Sequence, residues 1–186
     1  MAKITAIGQP CNDFEREVLF YLRNNLSDSY EIFHNLELRQ GKRNFEIDLI
    51  ILAPHGVYVV DVKGTKGFID IYKNRWCPSN SQGYPSPVAK LNSHAKILKS
   101  LIEDSNYANP NLSKIYVREA VILSSDGVQI LDHVGDDEGS ITYADRRCLD
   151  FFQNPDWENK FSTDIRSFYG SIRRVITGKS QPKMLL

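Results

Sequence analysis

Long hydrophobic runs and paired cysteines are both missing from this 186-residue sequence. No apolar run approaches the roughly 18 to 20 residues that cross a bilayer, and the first residues lack the apolar stretch of a secretory signal. We therefore expect a cytoplasmic protein without a membrane partner. The three cysteines lie far apart and show no CxxC spacing, which argues against a disulfide framework and against a zinc site.

Neither sign of charge is in excess, because 23 Lys and Arg residues balance 23 Asp and Glu residues. The distribution along the chain is nevertheless uneven. Residues 63–118 contain nine basic and three acidic residues, whereas residues 119–160 contain ten acidic and three basic residues. This asymmetry would suit a polyanion bound near the middle of the chain, but charge alone does not identify a nucleic-acid partner.

Two common catalytic motifs are also absent. The segment from Gly64 to Gly67 is too short for a phosphate-binding loop and lacks its GK(S/T) ending. No serine or cysteine lies in the G-x-S-x-G pattern of a nucleophile elbow. These absences argue against nucleotide-triphosphate chemistry and against covalent catalysis by serine or cysteine.

Hydrophobic periodicity predicts three helices and five strands in the order α-β-β-β-β-α-β-α. The predicted helices cover residues 12–26, 88–102 and 163–177, and the predicted strands cover residues 30–38, 45–52, 57–62, 68–72 and 115–123. Residues 77–87 are predicted to be a loop, and residues 124–140 an irregular segment with a possible short strand at 128–131. This order indicates a single α/β domain with a mixed central β-sheet flanked by helices.

The domain is expected to span residues 1–178. Residues 179–186 give little reason for order, and we interpret them as a flexible tail or a linker to a further domain.

Three charged residues interrupt two strands that are otherwise almost wholly apolar. Asp48 lies in FEIDLII, and Asp61 and Lys63 lie in VYVVDVKG. Two residues apart in a strand, Asp61 and Lys63 project from the same face. A hairpin turn centred near residues 54 and 55 places Asp48 opposite Asp61. Two carboxylates and one lysine can therefore converge.

Such a cluster has two interpretations. Crowded carboxylates repel unless a proton or a divalent cation lies between them, and an oxygen-only ligand set suits Mg²⁺ or Mn²⁺. The metal would then polarise a phosphodiester while Lys63 orients the attacking water or stabilises the charge that develops on phosphorus. Alternatively, Asp48 and Lys63 form an ordinary cross-strand salt bridge, with Asp61 at the exposed end of its strand.

The sequence IDLIILAPHGVYVVDVKGTKG reproduces, in order, an acid, a P-x-G turn, an acid-x-Lys motif and a glycine. This arrangement resembles the nuclease-related domain (NERD) family of the PD-(D/E)XK nuclease superfamily. The resemblance begins at the early acidic helix FEREVLFYLRNNL and ends with SPVAKLNSHAKILKSLI, about residues 12–104. It implies a restriction-endonuclease-like fold. The sequence differs from the family pattern in two places, since Asp61 replaces the usual glutamate and Lys90 stands where a glutamine is expected.

The resemblance also implies the site residues. An acid of the first helix joins the site, and Glu15 is preferred over Glu17 because it lies on the apolar stripe of that helix. The expected catalytic residues are Asp48, Asp61, Lys63 and Glu15, and the metal ligands are Asp48, Asp61 and Glu15. The residues expected to contact nucleic acid are Lys66, Lys90, His94 and Lys96.

Together these features predict a Mg²⁺- or Mn²⁺-dependent nuclease, with DNA preferred over RNA as the partner. Similarity to NERD domains further implies a place in a multidomain bacterial protein of phage defence. The alternative is a non-catalytic module that binds nucleic acid or another protein at the start of a larger chain. Such a module would have the same fold but no catalytic activity.

Overall fold

A computed structural model describes residues 1–105, 110–135, 137–154 and 164–183. Within these residues, the strands are β1 (Lys3–Ala6), β2 (Glu31–Gln40), β3 (Arg43–Ala53), β4 (Gly56–Lys63), β5 (Phe68–Tyr72), β6 (Arg75–Pro78), β7 (Tyr84–Pro85), β8 (Val117–Leu123), β9 (Gln129–Asp132), β10 (Ile141–Tyr143) and β11 (Ser180–Pro182). The helices are α1 (Asp13–Asn25), α2 (Pro87–Asp104), α3 (Arg146–Gln153) and α4 (Tyr169–Lys179). Single 3₁₀ turns cover Pro110–Lys114, Glu138–Ser140 and Arg166–Phe168.

The central sheet is mixed, in the order β1-β2-β3-β4-β8-β10. Strands β2, β3 and β4 are antiparallel neighbours, and β8 and β10 continue the sheet in parallel with β4. Strand β11 pairs with β2 on the edge that β1 also uses. The predicted α/β class, the mixed central sheet and the β3–β4 hairpin are thus confirmed, and the architecture agrees with a restriction-endonuclease-like fold.

Helices cover both faces of this sheet, as predicted. One core contains the apolar residues of α1 and α3, and the other contains those of α2 and α4. Helix α1 begins where the Asn12 side chain accepts a hydrogen bond from the backbone N–H of Glu15, which caps the helix. Its buried residues Val18, Leu19 and Leu22 lie on one stripe, which fixes the direction in which Glu15 points.

A second, four-stranded sheet lies beside the first, in the order β7-β6-β5-β9. The predicted strand 68–72 exists, but it belongs to this small sheet and not to the central one. The chain changes direction at Gly67, whose φ of +79° suits glycine. Ile69, Ile71 and Trp76 then turn inward onto the core beneath α2. Burial of these three side chains accounts for the separate sheet.

Other elements were missed or misplaced in the sequence prediction. Strands β1, β6, β7 and β10 and helix α3 were not predicted, because each is only two to eight residues long. Strand β7 and the end of β6 lie within residues 77–87, which were predicted to be a loop. The last helix begins at Tyr169 and not at Thr163, a residue that lies outside the described part of the chain. Strand β9 overlaps the possible strand at 128–131.

The expectation of a flexible segment from residue 179 differs from the structure. Helix α4 extends to Lys179, and Ser180–Pro182 form β11, which pairs with Leu36–Leu38 of β2. Backbone hydrogen bonding to an open sheet edge orders a segment whose side chains carry no strand pattern.

None of the helices in the described ranges is long and apolar enough to cross a membrane.

Candidate active site

The central sheet is interrupted at one rung that contains Asn35 of β2 and Asp48 of β3. Pairing between these strands passes from His34–Leu49 directly to Leu36–Ile47. Asn35 has a φ of +53°, a left-handed conformation that asparagine tolerates better than most residues. Phe33 and Leu36, which belong to the same core, lie three residues apart across Asn35, whereas Leu36 and Leu38 of that core lie two apart. This irregularity removes Asp48 from the regular ladder.

On the side that faces β4, the Asp48 side chain accepts a hydrogen bond that a backbone carbonyl oxygen would accept in a regular ladder. The β3–β4 ladder runs in the predicted register, in which paired residue numbers total 109, and it stops at Leu49–Val60. One rung further, the Oδ2 atom of Asp48 accepts a hydrogen bond from the backbone N–H of Val62 at 2.8 Å. The strands therefore separate where Asp48 and Asp61 face each other, and a carboxylate fills the opening.

The second oxygen of Asp48 binds a lysine from the end of the described chain. The Nζ atom of Lys183 lies 2.9 Å from Asp48 Oδ1, and the two side chains are only 14% and 8% exposed. Burial alone would lower the pKa of Lys183, but the charges of Asp48 and Glu15 outweigh it and raise the pKa above its ordinary value. Removing one partner of so buried a pair costs about 3–5 kcal/mol.

Asp61 and Lys63 form a second ion pair, with Lys63 Nζ 2.7 Å from Asp61 Oδ2. Burial, and then the charge of Asp48, raise the pKa of Asp61 from 3.8 to about 6, although Lys63 acts in the opposite direction. Burial would lower the pKa of Lys63, but Asp61 and Asp48 raise it overall. The alternative of an Asp48–Lys63 bridge is therefore not the arrangement found, since each aspartate has its own lysine.

Glu15 is the acid of α1 that reaches this region, whereas Glu17 is exposed. The Glu15 carboxylate accepts hydrogen bonds from the backbone N–H of Cys11, from Asn12 Nδ2 and from Asn35 Nδ2. Glu15 therefore supports the irregular Asn35 rung, and its charge also acts on Lys183, the partner of Asp48.

Two glycines permit the close approach of these elements. A Cβ atom on Gly64, directly after Lys63, would lie 2.3 Å from the ring of Phe14 in α1. A Cβ atom on Gly8 would lie 2.4 Å from the carbonyl oxygen of Asn35. Both distances are far below van der Waals contact. At Gly8 the neighbour is a backbone oxygen, so only glycine lets the N-terminal segment pack against the site, whereas at Gly64 the exposed Phe14 ring would have to move aside.

The chemistry of the donor set fits a hard divalent cation. Asp48 and Asp61 are buried carboxylates close enough for each to affect the other, and Asp61 Oδ2 is a buried atom that receives no hydrogen bond with acceptable geometry despite its ion pair. Mg²⁺ is commonly held by one or two carboxylates and several waters. Across the described ranges, however, no three Asp, Glu, His or Cys side chains are arranged to hold a metal. Glu15 is thus not brought into a three-acid cluster with Asp48 and Asp61.

Of the four residues expected to contact nucleic acid, the three lysines are exposed and His94 is buried. Lys66 follows β4, and Lys90 and Lys96 are exposed on α2, where six residues separate them by about 120° around the helix axis. None of these three lysines has a carboxylate within ion-pair distance among the residues that the structure describes.

His94 is placed differently from the expectation that it faces the site beside Lys90. It is 6% exposed and lies edge-on to Phe45 of β3, with ring centroids 5.3 Å apart. Burial, and then the charge of Lys90, lower the pKa of His94 to about 4. The imidazole is therefore neutral at physiological pH and cannot attract a phosphate by charge.

Two residues of the site were missed in the sequence prediction. Lys183 lies in a polar segment without periodicity, and nothing in the sequence signals its contact with Asp48. Asn35 does leave a signal, because the apolar residues on either side of it, Phe33 and Leu36, lie three apart, whereas Leu36 and Leu38 lie two apart. Such a shift in a strand indicates a bulge or a reversal of faces.

Comparison with known proteins agrees with this geometry. A protein of Streptomyces coelicolor named "Probable kinase PglW" is 27% identical over 101 residues, which make up 52% of this chain and 6% of that protein. The chain thus spans only a small part of that relative's length. No solved structure matches the chain. The family model described as "Nuclease-related domain" matches residues 12–124, well over half of the sequence and all of the elements that carry Glu15, Asp48, Asp61 and Lys63. The chain therefore belongs to the NERD, or nuclease-related domain, family.

Proposed function

We propose that this domain is a metal-dependent nuclease that hydrolyses phosphodiester bonds, with DNA as the preferred substrate. One observation carries the proposal: Asp48 and the Asp61–Lys63 pair meet at the point where β3 and β4 separate. Such a constellation matches the chemistry of phosphodiester hydrolysis.

The roles follow from charge and position. Asp48 and Asp61 hold Mg²⁺ or Mn²⁺, which when bound supplies Lewis-acid polarisation of the phosphate and a more acidic water. Lys63 remains protonated, because its pKa is raised, and it therefore donates hydrogen bonds and does not act as a base. It orients the attacking water and stabilises negative charge that develops on the phosphate oxygens. Glu15 positions the Asn35 rung and through it Asp48.

Nucleic acid is expected to approach along exposed lysines that have no acidic partner within the described ranges. Lys66 lies in the turn after Lys63, and Lys90 begins the exposed face of α2. Similarity to the protein named PglW supports a place in a larger multidomain assembly, and we propose phage defence as its context. Lysine–phosphate contacts carry no base information, so this surface gives affinity without sequence preference.

Plasmid nicking in Mg²⁺ or Mn²⁺ tests the proposal. We expect Asp48→Asn and Lys63→Met each to lower the nicking rate by about 10²-fold or more, since each removes a group that acts on the reacting phosphate. Glu17→Gln and Lys179→Met are matched controls, because both residues are exposed and lie outside the site.

Equal nicking by the wild type and both site variants would contradict the proposal. Loss of nicking in the control variants as well would show that the substitutions act by disturbing the fold and not through the site. Circular dichroism of each variant distinguishes these cases.

The second candidate, a non-catalytic binding module, has one specific observation in its favour. Each of the three carboxylates already has a partner within the chain: Glu15 has amide donors, Asp48 is paired with Lys183, and Asp61 forms an ion pair with Lys63. A thermal-shift titration separates the candidates, because a ligand that binds only the folded state raises its melting temperature. A working site gains stability at millimolar Mg²⁺, whereas a module without metal shows no shift.

A further inference from the structure

Lys183 is held at the site by its backbone as well as by its side chain. It directly follows β11, whose residues pair with Leu36–Leu38. The Lys183 backbone N–H then donates to the carbonyl oxygen of Asn35 at 3.1 Å. Strand β1 pairs with β2 up to His34, and β11 pairs with it from Leu36, so Asn35 is the position where one edge partner replaces the other. The irregular rung therefore fixes where Lys183 enters the sheet.

The ammonium group of Lys183 stands among acids. It contacts Asp48 Oδ1 at 2.9 Å, and the charge of Glu15 also acts on it. With Val62 bonded to the other oxygen, Asp48 has no oxygen left that is bound only to solvent. Lys183 thus occupies, as an internal cation, the side of Asp48 that faces Glu15.

A divalent cation and this ammonium group compete for the same carboxylate. Two positive charges a few ångströms apart in a poorly solvated site repel each other strongly. A metal that takes an oxygen of Asp48 therefore gains most when Lys183 leaves. Lysine suits such exchange, because its four-carbon side chain can swing the ammonium group away without unfolding the strand behind it.

We propose that Lys183 is an internal counter-ion that competes with the divalent metal for Asp48, so that the segment 180–183 sets the metal occupancy of the site. This inference rests on the proposed function, which assigns the metal to Asp48 and Asp61. With Lys183 in place the acidic site is neutralised and closed. With Lys183 displaced, Asp48 becomes available as a ligand.

Calorimetric titration with Mn²⁺ tests the inference on the full chain. We expect Lys183→Met to bind Mn²⁺ at least about tenfold more tightly than the wild type, which is the usual size of coupling between competing ligands. Lys183→Arg keeps the cation and should bind like the wild type. Lys179→Met removes a neighbouring exposed lysine and should also leave the affinity unchanged.

Asp48→Asn distinguishes the two possible failures. If the wild type and Lys183→Met bind Mn²⁺ equally, and Asp48→Asn does not bind, the inference about Lys183 is overturned while the metal site stands. If Asp48→Asn binds as well as the wild type, or if no variant binds, the metal assignment itself is wrong and the inference is overturned with it.

A measurement on the wild type covers the case in which Lys183→Met does not fold. Brief acetylation followed by mass spectrometry reports how accessible each lysine is. Without metal, the buried and paired Lys183 should react slowly, and saturating Mg²⁺ should increase its labelling while that of Lys179 stays constant. Labelling of Lys183 that does not change with Mg²⁺ would show that the metal does not displace it.

Discussion

The raised pKa of Asp61 predicts an unusual dependence of stability on pH. In the folded protein this carboxyl group titrates at about 6, compared with an ordinary value of 3.8. Between these two values the folded state holds a proton that the unfolded state has released. The contribution of Asp61 to the free energy of unfolding is therefore fully present below about pH 4 and is lost as the pH rises through 6.

The magnitude follows from the size of the shift. A difference of about two units corresponds to about 3 kcal/mol of unfolding free energy. Asparagine cannot titrate, so the free energy of unfolding of Asp61→Asn minus that of the wild type should increase by about 2–3 kcal/mol between pH 4 and pH 7. Loss of the Lys63 ion pair adds an offset, but Lys63 stays charged throughout this range and the offset does not create the slope.

Urea unfolding, followed by Trp fluorescence in the presence of EDTA, measures this difference at each pH. Trp76 is fully buried and reports loss of the core. Asp28→Asn serves as the control for removing one carboxylate from an exposed position. A difference between Asp61→Asn and the wild type that stays constant within about 0.5 kcal/mol, the usual scatter of surface substitutions, would refute the reasoning.

Two further predictions concern Glu15 and the lysines of α2. Glu15→Gln should lower the free energy of unfolding by about 1–3 kcal/mol, because the new amide group would meet donors and not acceptors. The exposed Glu17→Gln should change this free energy by less than about 0.5 kcal/mol. Equal effects of the two substitutions in urea titrations would contradict the assignment of Glu15. In fluorescence anisotropy with a short DNA duplex at about 50 to 200 mM salt, Lys90→Ala and Lys96→Ala should each reduce the log–log salt slope by about one if both contact phosphate. Because these lysines are about 120° apart on the helix, an unchanged slope for one of them would show on which side of α2 the nucleic acid lies.

The acidic pair and its lysine could be predicted from the sequence, because a strand has a fixed period of two and a short hairpin turn fixes its register. These two facts are enough to bring Asp48, Asp61 and Lys63 together. The choice of Glu15 over Glu17 was equally accessible, since the buried stripe of α1 includes one and excludes the other.

The parts that could not be predicted depend on contacts between distant segments. Lys183 reaches Asp48 across 135 positions of sequence, and the order of its segment comes from backbone pairing with β2, which is independent of side-chain pattern. The burial of His94 depends on Phe45 of β3, whose neighbour cannot be inferred from the periodicity of α2. Likewise, nothing in the strand pattern at 68–72 indicates which of two sheets the strand joins.

The central claim is that Asp48 and Asp61 form the metal site of a nuclease. Anomalous diffraction from crystals containing Mn²⁺ tests it most directly, because the anomalous signal locates the metal independently of activity. We expect a peak within coordination distance of carboxylate oxygens of both aspartates, with Lys183 moved away from Asp48. Manganese bound elsewhere, with the Asp48–Lys183 pair intact, would contradict it.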